Sequence, residues 1–344
     1  MTLILRGQSK IMIVSEAWSE EEAKEGRPFV GSTGFILKGM LSVAGVKLED
    51  CYVTQVMARR NHDLKLLCGG KPEALPNYPA IIKGKYIRNE FAPDLTRLYQ
   101  EIINADPNII IALGPLASWA LLKSSGIKAV RGSLAPTHPE VSAILGRTFK
   151  VLPTYHPSSV ARDWTLRPIC INDFDKAHRH STTQEYRRPV RHVWIEPTLN
   201  DLAEFDRRYM QDVRICSTDI ETKGNQITCI GFAPSPTVSI VVPFYDARVP
   251  HGNYWATLAD EMIAWQWVRQ WCTLPSLFQN GMYDIHFLWR RYGIPVPNAM
   301  HDTMLLHHAY QPEMEKGLGF LGSIYTEEAS WKHMGKADSL KKGE

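Results

Sequence analysis

Along the first half of the chain, short runs of apolar residues alternate with stretches whose apolar positions recur every three or four residues. Lys10-Ile-Met-Ile-Val reads as a buried strand, and residues 34–44 carry Ile36, Leu37, Met40, Leu41 and Val43 at helical spacing before Gly45. A glycine there suits the left-handed conformation that follows a helix. Cys51-Tyr-Val-Thr-Gln-Val-Met gives the next strand, residues 95–104 a helix, and Asn108-Ile-Ile-Ile-Ala-Leu-Gly a third strand. Pro115 then opens another helix, where its missing N–H leaves nothing unsatisfied. Residues 148–154 supply a fourth strand and 173–180 a further helix. Strands and helices in this alternation predict a parallel sheet covered on both faces.

The pattern lapses at Ser181-Thr-Thr-Gln-Glu-Tyr-Arg-Arg-Pro, which has no apolar periodicity. A boundary is placed there, giving a first domain at 1–180, a basic linker at 181–193 and a second domain at 194–344. The second half restarts with a capped helix at Thr198-Leu-Asn-Asp-Leu-Ala-Glu-Phe and a strand at 213–219. Two more strands, 226–232 and 238–243, meet at a Pro234-Ser-Pro236 turn. A helix at 256–271 has Leu258, Met262, Trp265 and Val268 or Arg269 stepping along one face.

At 344 residues, length agrees with two domains, and the 44% hydrophobic and 22% charged fractions are those of a globular α/β protein. No apolar run approaches the roughly 20 residues that span a bilayer, and residues 1–7 lack the basic lead and apolar core of a signal peptide. No membrane role is expected; the expected compartment is the cytoplasm, that of the host if the gene is phage-encoded. Six scattered cysteines with no Cys-x-x-Cys pair are expected to be buried free thiols. A net charge of +3 is too small to argue for nucleic acid. The cluster Lys176, Arg179, Arg187, Arg188 and Arg191 reads either as a solvated linker or as a strap contacting phosphates.

Glu25-Gly-Arg-Pro-Phe-Val-Gly-Ser-Thr-Gly, Ala112-Leu-Gly-Pro-Leu-Ala and Leu152-Pro-Thr-Tyr-His-Pro-Ser-Ser resemble, in order and spacing, motifs of the family 4 uracil-DNA glycosylases across about residues 10–180. The resemblance implies a glycosylase-like α/β/α sandwich that holds an extruded base against a ring. Phe29 would be that ring, His156 and Ser158 would meet the base oxygen or an adjacent phosphate, and Glu16 would position water. Three positions depart from the family pattern. Trp18 replaces a small turn residue, Gln55 stands in place of a base-reading Asn, and Arg59, with no paired cysteines, removes the iron–sulfur ligands. No such cluster is expected, and the pocket is expected to serve DNA binding rather than uracil excision.

Asp219-Ile-Glu221 ends an apolar strand, so both carboxylates lie on one face and can share a metal. Asp284, in the first turn of a helix, brings a third carboxylate towards the sheet. Ser217-Thr-Asp-Ile-Glu-Thr, Phe278-Gln-Asn-Gly-Met-Tyr-Asp and Met300-His-Asp-Thr-Met-Leu-Leu-His-His resemble the 3′–5′ proofreading exonuclease domain of family A DNA polymerases over about residues 190–340, in a phage-type arrangement. That resemblance implies a ribonuclease H-like fold with a mixed sheet. It makes Asp219, Glu221 and Asp284 ligands of two Mg²⁺ or Mn²⁺ ions, with Thr222 and Asn280 in support and the Asp302 segment a structural strand. The substrate implied is a primer 3′ end or single-stranded DNA. The family's last Tyr-x-x-x-Asp motif is missing. His333 and Asp338 offer a substitute, about 140° apart on a helix, and a polymerase domain is expected downstream of Glu344. Two rivals remain: a non-catalytic DNA-binding module and an active uracil-DNA glycosylase.

Overall fold

The computed structural model describes residues 10–60, 67–124, 126–328 and 330. These fall into two compact units, one of the described residues up to Arg187 together with those from Gly319 onward, and the other Arg188–Leu318. In the first unit, β1 (Ile11–Trp18), β2 (Tyr52–Arg60), β5 (Ile109–Leu113), β6 (Ala135–Pro136) and β7 (Lys150–Thr154) form a sheet in the order β2-β1-β5-β7-β6. All neighbours run parallel except β6 and β7. A small β3 (Cys68–Gly69) and β4 (Tyr86–Ile87) ladder lies apart. The helices are α1 (Glu20–Glu25), α2 (Gly31–Val43), α3 (Ala92–Ala105), α4 (Gly114–Leu122), α5 (Ile127–Val130), α6 (Pro139–Leu145), α7 (Pro157–Arg162) and α8 (Leu166–His180).

The strands read as continuous apolar runs because both sheet faces are covered. Met12, Val14, Ile110 and Ala112 pack with Leu95, Leu98 and Ile102 of α3 on one face. Ile11, Ile13, Ile109 and Ile111 alternate to the other, against Leu37, Met40 and Leu41 of α2 and Phe174 and Ala177 of α8. The sandwich expected from the sequence is therefore present. β1 is longer than predicted: Glu16 to Trp18 continue the strand past a register shift opposite β2 rather than turning away.

The second unit holds a mixed sheet ordered β13-β12-β9-β10-β11-β8. Its strands are β8 (His192–Trp194), β9 (Cys216–Lys223), β10 (Gln226–Ser235), β11 (Val238–Pro243), β12 (Ser276–Phe278) and β13 (Ala299–Asp302). β9, β10 and β11 are antiparallel, while β12 joins β9, β13 joins β12 and β8 joins β11 in parallel. Helices α9 (Leu199–Phe205), α10 (Leu258–Trp271), α11 (Met282–Tyr292) and α12 (Thr303–Tyr310) complete it, and α13 (Leu318–Tyr325) follows. Thr198 and Asp201 cap α9 reciprocally, so the predicted start is seen as a capping box.

Three expectations are corrected. The buried seam of α10 is Ala264, Val268 and Trp271, while Leu258 and Met262 are exposed. The indole ring of Trp271 fills the space against Phe205 and Phe232, which fixes the helix rotation against the one guessed from aliphatic spacing. The stretch read as a linker is tied down as far as Tyr186: buried Lys150 donates to His180 O at 2.6 Å, Asn108 donates to Ser181 O at 2.6 Å, and Tyr186 packs on the first unit's core. Lastly, the described residues from Gly319 onward belong with the first unit, where the sequence reading assigned them to the second domain. All six cysteines are free, five of them buried, and burial pushes the thiols of Cys51, Cys170 and Cys272 up to about 12. Such thiols are inert at neutral pH.

Candidate base pocket and acidic strand edge

Ser15 and Gln55 face each other across β1 and β2, and the alternation of both strands turns them to the sheet face that also carries Phe29. His156 caps α7 just beyond the C-terminal end of β7. Of these residues only His156 lies past the C-terminal end of its strand, while Ser15 and Gln55 sit within β1 and β2. His156 Nδ1 accepts the Ser158 N–H at 3.2 Å and lies 2.8 Å from Ser158 Oγ. An accepting Nδ1 places the ring proton on Nε2, which then donates to Ser15 Oγ at 3.1 Å. Burial, with help from the Arg162 charge, holds the imidazole down at about 4.

A neutral His156 at physiological pH has a measurable consequence. An unfolded histidine titrates near 6.5, so between about 4 and 6.5 the unfolded chain binds more protons than the folded one. Stability should therefore fall as pH drops through that window, and His156→Gln should flatten this part of the curve. In NMR, the His156 ring resonances should stay constant from about pH 8 down to about pH 6. A titration midpoint near 6.5 would refute the assignment.

Glu16 sits beside the start of α4. Its Oε1 accepts the Leu116 N–H at 3.1 Å, supplying the cap that Leu113 cannot. The approach needs Gly114, whose φ is +87° and where a Cβ would lie 2.7 Å from Glu16 Oε1. Burial raises the Glu16 pKa, opposed by the Leu116 N–H and then by Arg162. Phe29 is buried with φ +54°, a conformation that costs a non-glycine residue free energy. Two contacts fix it: its N–H donates to buried Glu22 at 2.6 Å, and its carbonyl lies where a Cβ on Gly34 would clash at 1.7 Å. Gln55 is 2% exposed, and its Nε2 has no hydrogen-bond partner among the described residues. Sequence reasoning placed Gln55 in the pocket but did not foresee the unpaired donor.

His156 of the third motif thus meets Ser15, Glu16 caps the helix that the second motif opens, and Phe29 of the first motif packs on the same sheet face as Ser15. The sequence profile of the Uracil DNA glycosylase superfamily matches residues 4–180. The chain belongs to the uracil DNA glycosylase superfamily. A type-4 uracil-DNA glycosylase of Thermotoga maritima is 31% identical over 173 residues, 49% of this chain and 76% of that protein. A DNA polymerase of Bacillus phage SP01 is 22% identical over 330 residues, covering 87% of this chain, and the match spans about a third (32%) of the polymerase. Among solved structures, Brucella melitensis NrnC with bound Mg²⁺ covers 40% of this chain and 61% of its own at 17% identity, with a TM-score of 0.24.

The second candidate site lies outside the part of the chain that matches the glycosylase superfamily, on β9. Burial alternates along this strand, so Ser217, Asp219 and Glu221 are exposed while Cys216, Thr218 and Ile220 face the core. The two acids share one face as the spacing predicts. Asp284, in the first turn of α11, is 5% exposed and accepts the Ile220 N–H at 3.0 Å. Burial raises its pKa, opposed by the backbone bonds, and the charges of Asp302 and Glu221 raise it further. Thr222 Oγ1 meets Tyr283 OH at 2.7 Å. Asn280 has φ +62°, and its N–H and that of Gly281 donate to Asp302 at 3.1 and 2.7 Å. Asp302 also accepts from Met304 and Leu305 at the start of α12, so it caps that helix.

Among the described residues no three His, Cys, Asp or Glu side chains gather closely enough to hold a metal ion. Carboxylate oxygens suit Mg²⁺ or Mn²⁺, but these three do not close round one: Asp219 and Glu221 project outward while Asp284 turns in to the backbone. His333 and Asp338 lie outside the described residues. The basic cluster is also redistributed. Lys176 is fully buried, Arg179 pairs with Asp175 and Glu327, and Arg187 pairs with Glu185, so Lys176 cannot reach a phosphate. No helix among the described residues is long and apolar enough to cross a membrane.

Proposed function

We propose that this chain is the part of a phage-type DNA polymerase that joins a glycosylase-superfamily unit to a 3′–5′ exonuclease unit. The observation that carries this reading is the polymerase similarity running through both units, combined with an exposed Asp219 and Glu221 edge braced by Asp284 through Ile220. The substrate in this reading is the 3′ end of a single DNA strand, shortened in the presence of Mg²⁺ or Mn²⁺. The three carboxylates as placed form an acidic edge and not a closed ion cage. The reading therefore gives them only the roles their geometry supports. Asp219 and Glu221 present negative charge on an open strand face, and Asp284 fixes the strand behind them. The test is Mg²⁺-dependent shortening of 3′-labelled single-stranded DNA by the chain and by its Asp219→Ala/Glu221→Ala variant.

A second role for the first unit is favoured by Gln55. A buried amide nitrogen without an acceptor is costly unless something supplies one, and it lies on the sheet face that also carries Phe29. We propose that the pocket holds an unstacked base whose carbonyl meets Gln55 Nε2. Competition binding with duplexes that each contain one mismatched base tests this. A base preference that Gln55→Leu reduces by about tenfold is expected, since one hydrogen bond to a buried group is worth roughly 1–3 kcal/mol. A wild-type chain blind to the identity of the mismatched base would sink it.

A further inference from the structure

The first unit contains a buried charge network that its own superfamily segment leaves incomplete. Lys176 of α8 is fully buried, and its three ammonium hydrogens have three acceptors: Gly132 O at 2.9 Å, Ser323 O at 2.6 Å and Thr326 O at 2.8 Å. Two of the three come from α13 and the residue just after it, where helix carbonyls lack intrahelical partners and favour a cation. Arg131, 4% exposed, donates to Asp173 at 2.9 Å, to Ser323 Oγ, and lies 5.0 Å from the centre of the Phe320 ring. Asp173, fully buried, takes its other hydrogen bond from Thr154 Oγ1 at 2.6 Å. At the rim, Glu327 meets Arg179 at 3.0 Å and His180 at 2.7 Å.

A buried ammonium and guanidinium are tolerated only when their donors are satisfied. Without residues 320–327, Lys176 would keep one acceptor of three, and Arg131 would lose both its hydroxyl and its aromatic neighbour. Gly132 points the same way: a Cβ there would press within 3.2 Å of Ser323 O and 2.6 Å of Asp173, so the segment docks against backbone that has been cleared for it. The chain has meanwhile passed through the whole second unit between Arg188 and Leu318.

We propose that residues 320–327 are a built-in strap of the glycosylase-superfamily unit, which docks through Ser323 onto Arg131 and Lys176 and holds the β7 end from which His156 projects. The line of contact runs from Ser323 through Arg131 and Asp173 to Thr154, two residues before His156. The unit is thus complete only with a segment that lies far beyond the stretch matching its superfamily. The strap's Glu327 also meets Arg179 and His180 at the end of α8. The inference does not depend on the exonuclease reading.

The experiment uses the full chain with a specific protease site inserted after Gly317, cleaved after folding. The released piece is expected to remain bound through size-exclusion chromatography, and Ser323→Ala together with Glu327→Gln, both mild changes, should let it separate. A piece that leaves the otherwise unaltered chain in native buffer would overturn the strap. The link to the pocket is read by hydrogen exchange on the same cleaved samples. Amides of residues 154–159 are expected to exchange at least about tenfold faster once the strap has gone, with β9–β11 unchanged. Equal exchange at 154–159 would remove the link to His156.

Discussion

The Asp219→Ala/Glu221→Ala variant is expected to lose Mg²⁺-dependent shortening of single-stranded DNA by at least about 10³-fold, while binding the same DNA as well as or better than the unaltered chain. The size follows from the few kcal/mol of charge stabilisation that carboxylate-dependent phosphodiester cleavage draws on, at roughly 1.4 kcal/mol per decade of rate. The direction of the binding change follows from electrostatics. Two exposed carboxylates side by side repel a phosphate backbone, so removing them cannot weaken an attraction they do not make. This split separates the exonuclease reading from a simple DNA-binding module, which predicts no shortening by either protein. Both residues are exposed, and surface changes of this kind usually cost under about 0.5 kcal/mol, so a lost activity will not be a lost fold. Asp284→Ala is a poorer test because it strands the buried Ile220 N–H, at a cost of roughly 1–3 kcal/mol. Shortening by the double variant at the rate of the unaltered chain would end the reading.

How much of this was legible in the sequence depends on the range of the interaction. The strands of the first unit could be read because burial on both faces makes them continuous apolar runs, and the β9 acids because strand alternation is strictly local. The resemblance named Glu16, Phe29, Gln55, His156 and Ser158; in the fold Ser15 pairs with Gln55 across β1 and β2 on the face that carries Phe29, and Ser15 meets His156. The rotation of α10 was misread because the space for Trp271 is made by Phe205 and Phe232, which are distant in sequence. Lys176 was read as a surface charge because nothing nearby announces acceptors supplied by Ser323 and Thr326. The turning of Asp284 onto Ile220 is a tertiary choice as well. First-turn position alone fixes which way the helix dipole acts, but not whether the carboxylate meets an ion or a backbone N–H.

Arg131→Met is expected to cost the first unit about 3–5 kcal/mol, the usual result of removing one partner of a buried ion pair. For a unit of this size that corresponds to a midpoint roughly 10 °C lower in thermal unfolding. The reason is what remains: Asp173, fully buried, would keep a charge supported only by Thr154 and the nearby Lys176. Burial already raises the Asp173 pKa, with the Arg131 charge first among the opposing influences, so removing Arg131 must raise it further. A carboxyl raised in the fold binds its proton more readily there than in the unfolded chain, so its contribution to stability falls as pH rises through the gap between the two values. The variant widens that gap upwards. Its deficit should therefore be smallest in acid, where a neutral Asp173 needs no cation, and should grow towards neutral pH. Arg131→Met/Asp173→Leu should recover part of the loss, because a buried pair replaced as a whole by apolar side chains leaves no stranded charge. Denaturant unfolding of the full chain at several pH values measures both. A deficit that is flat with pH, combined with a double variant equal to the sum of its singles, would show that Arg131 acts by shape alone.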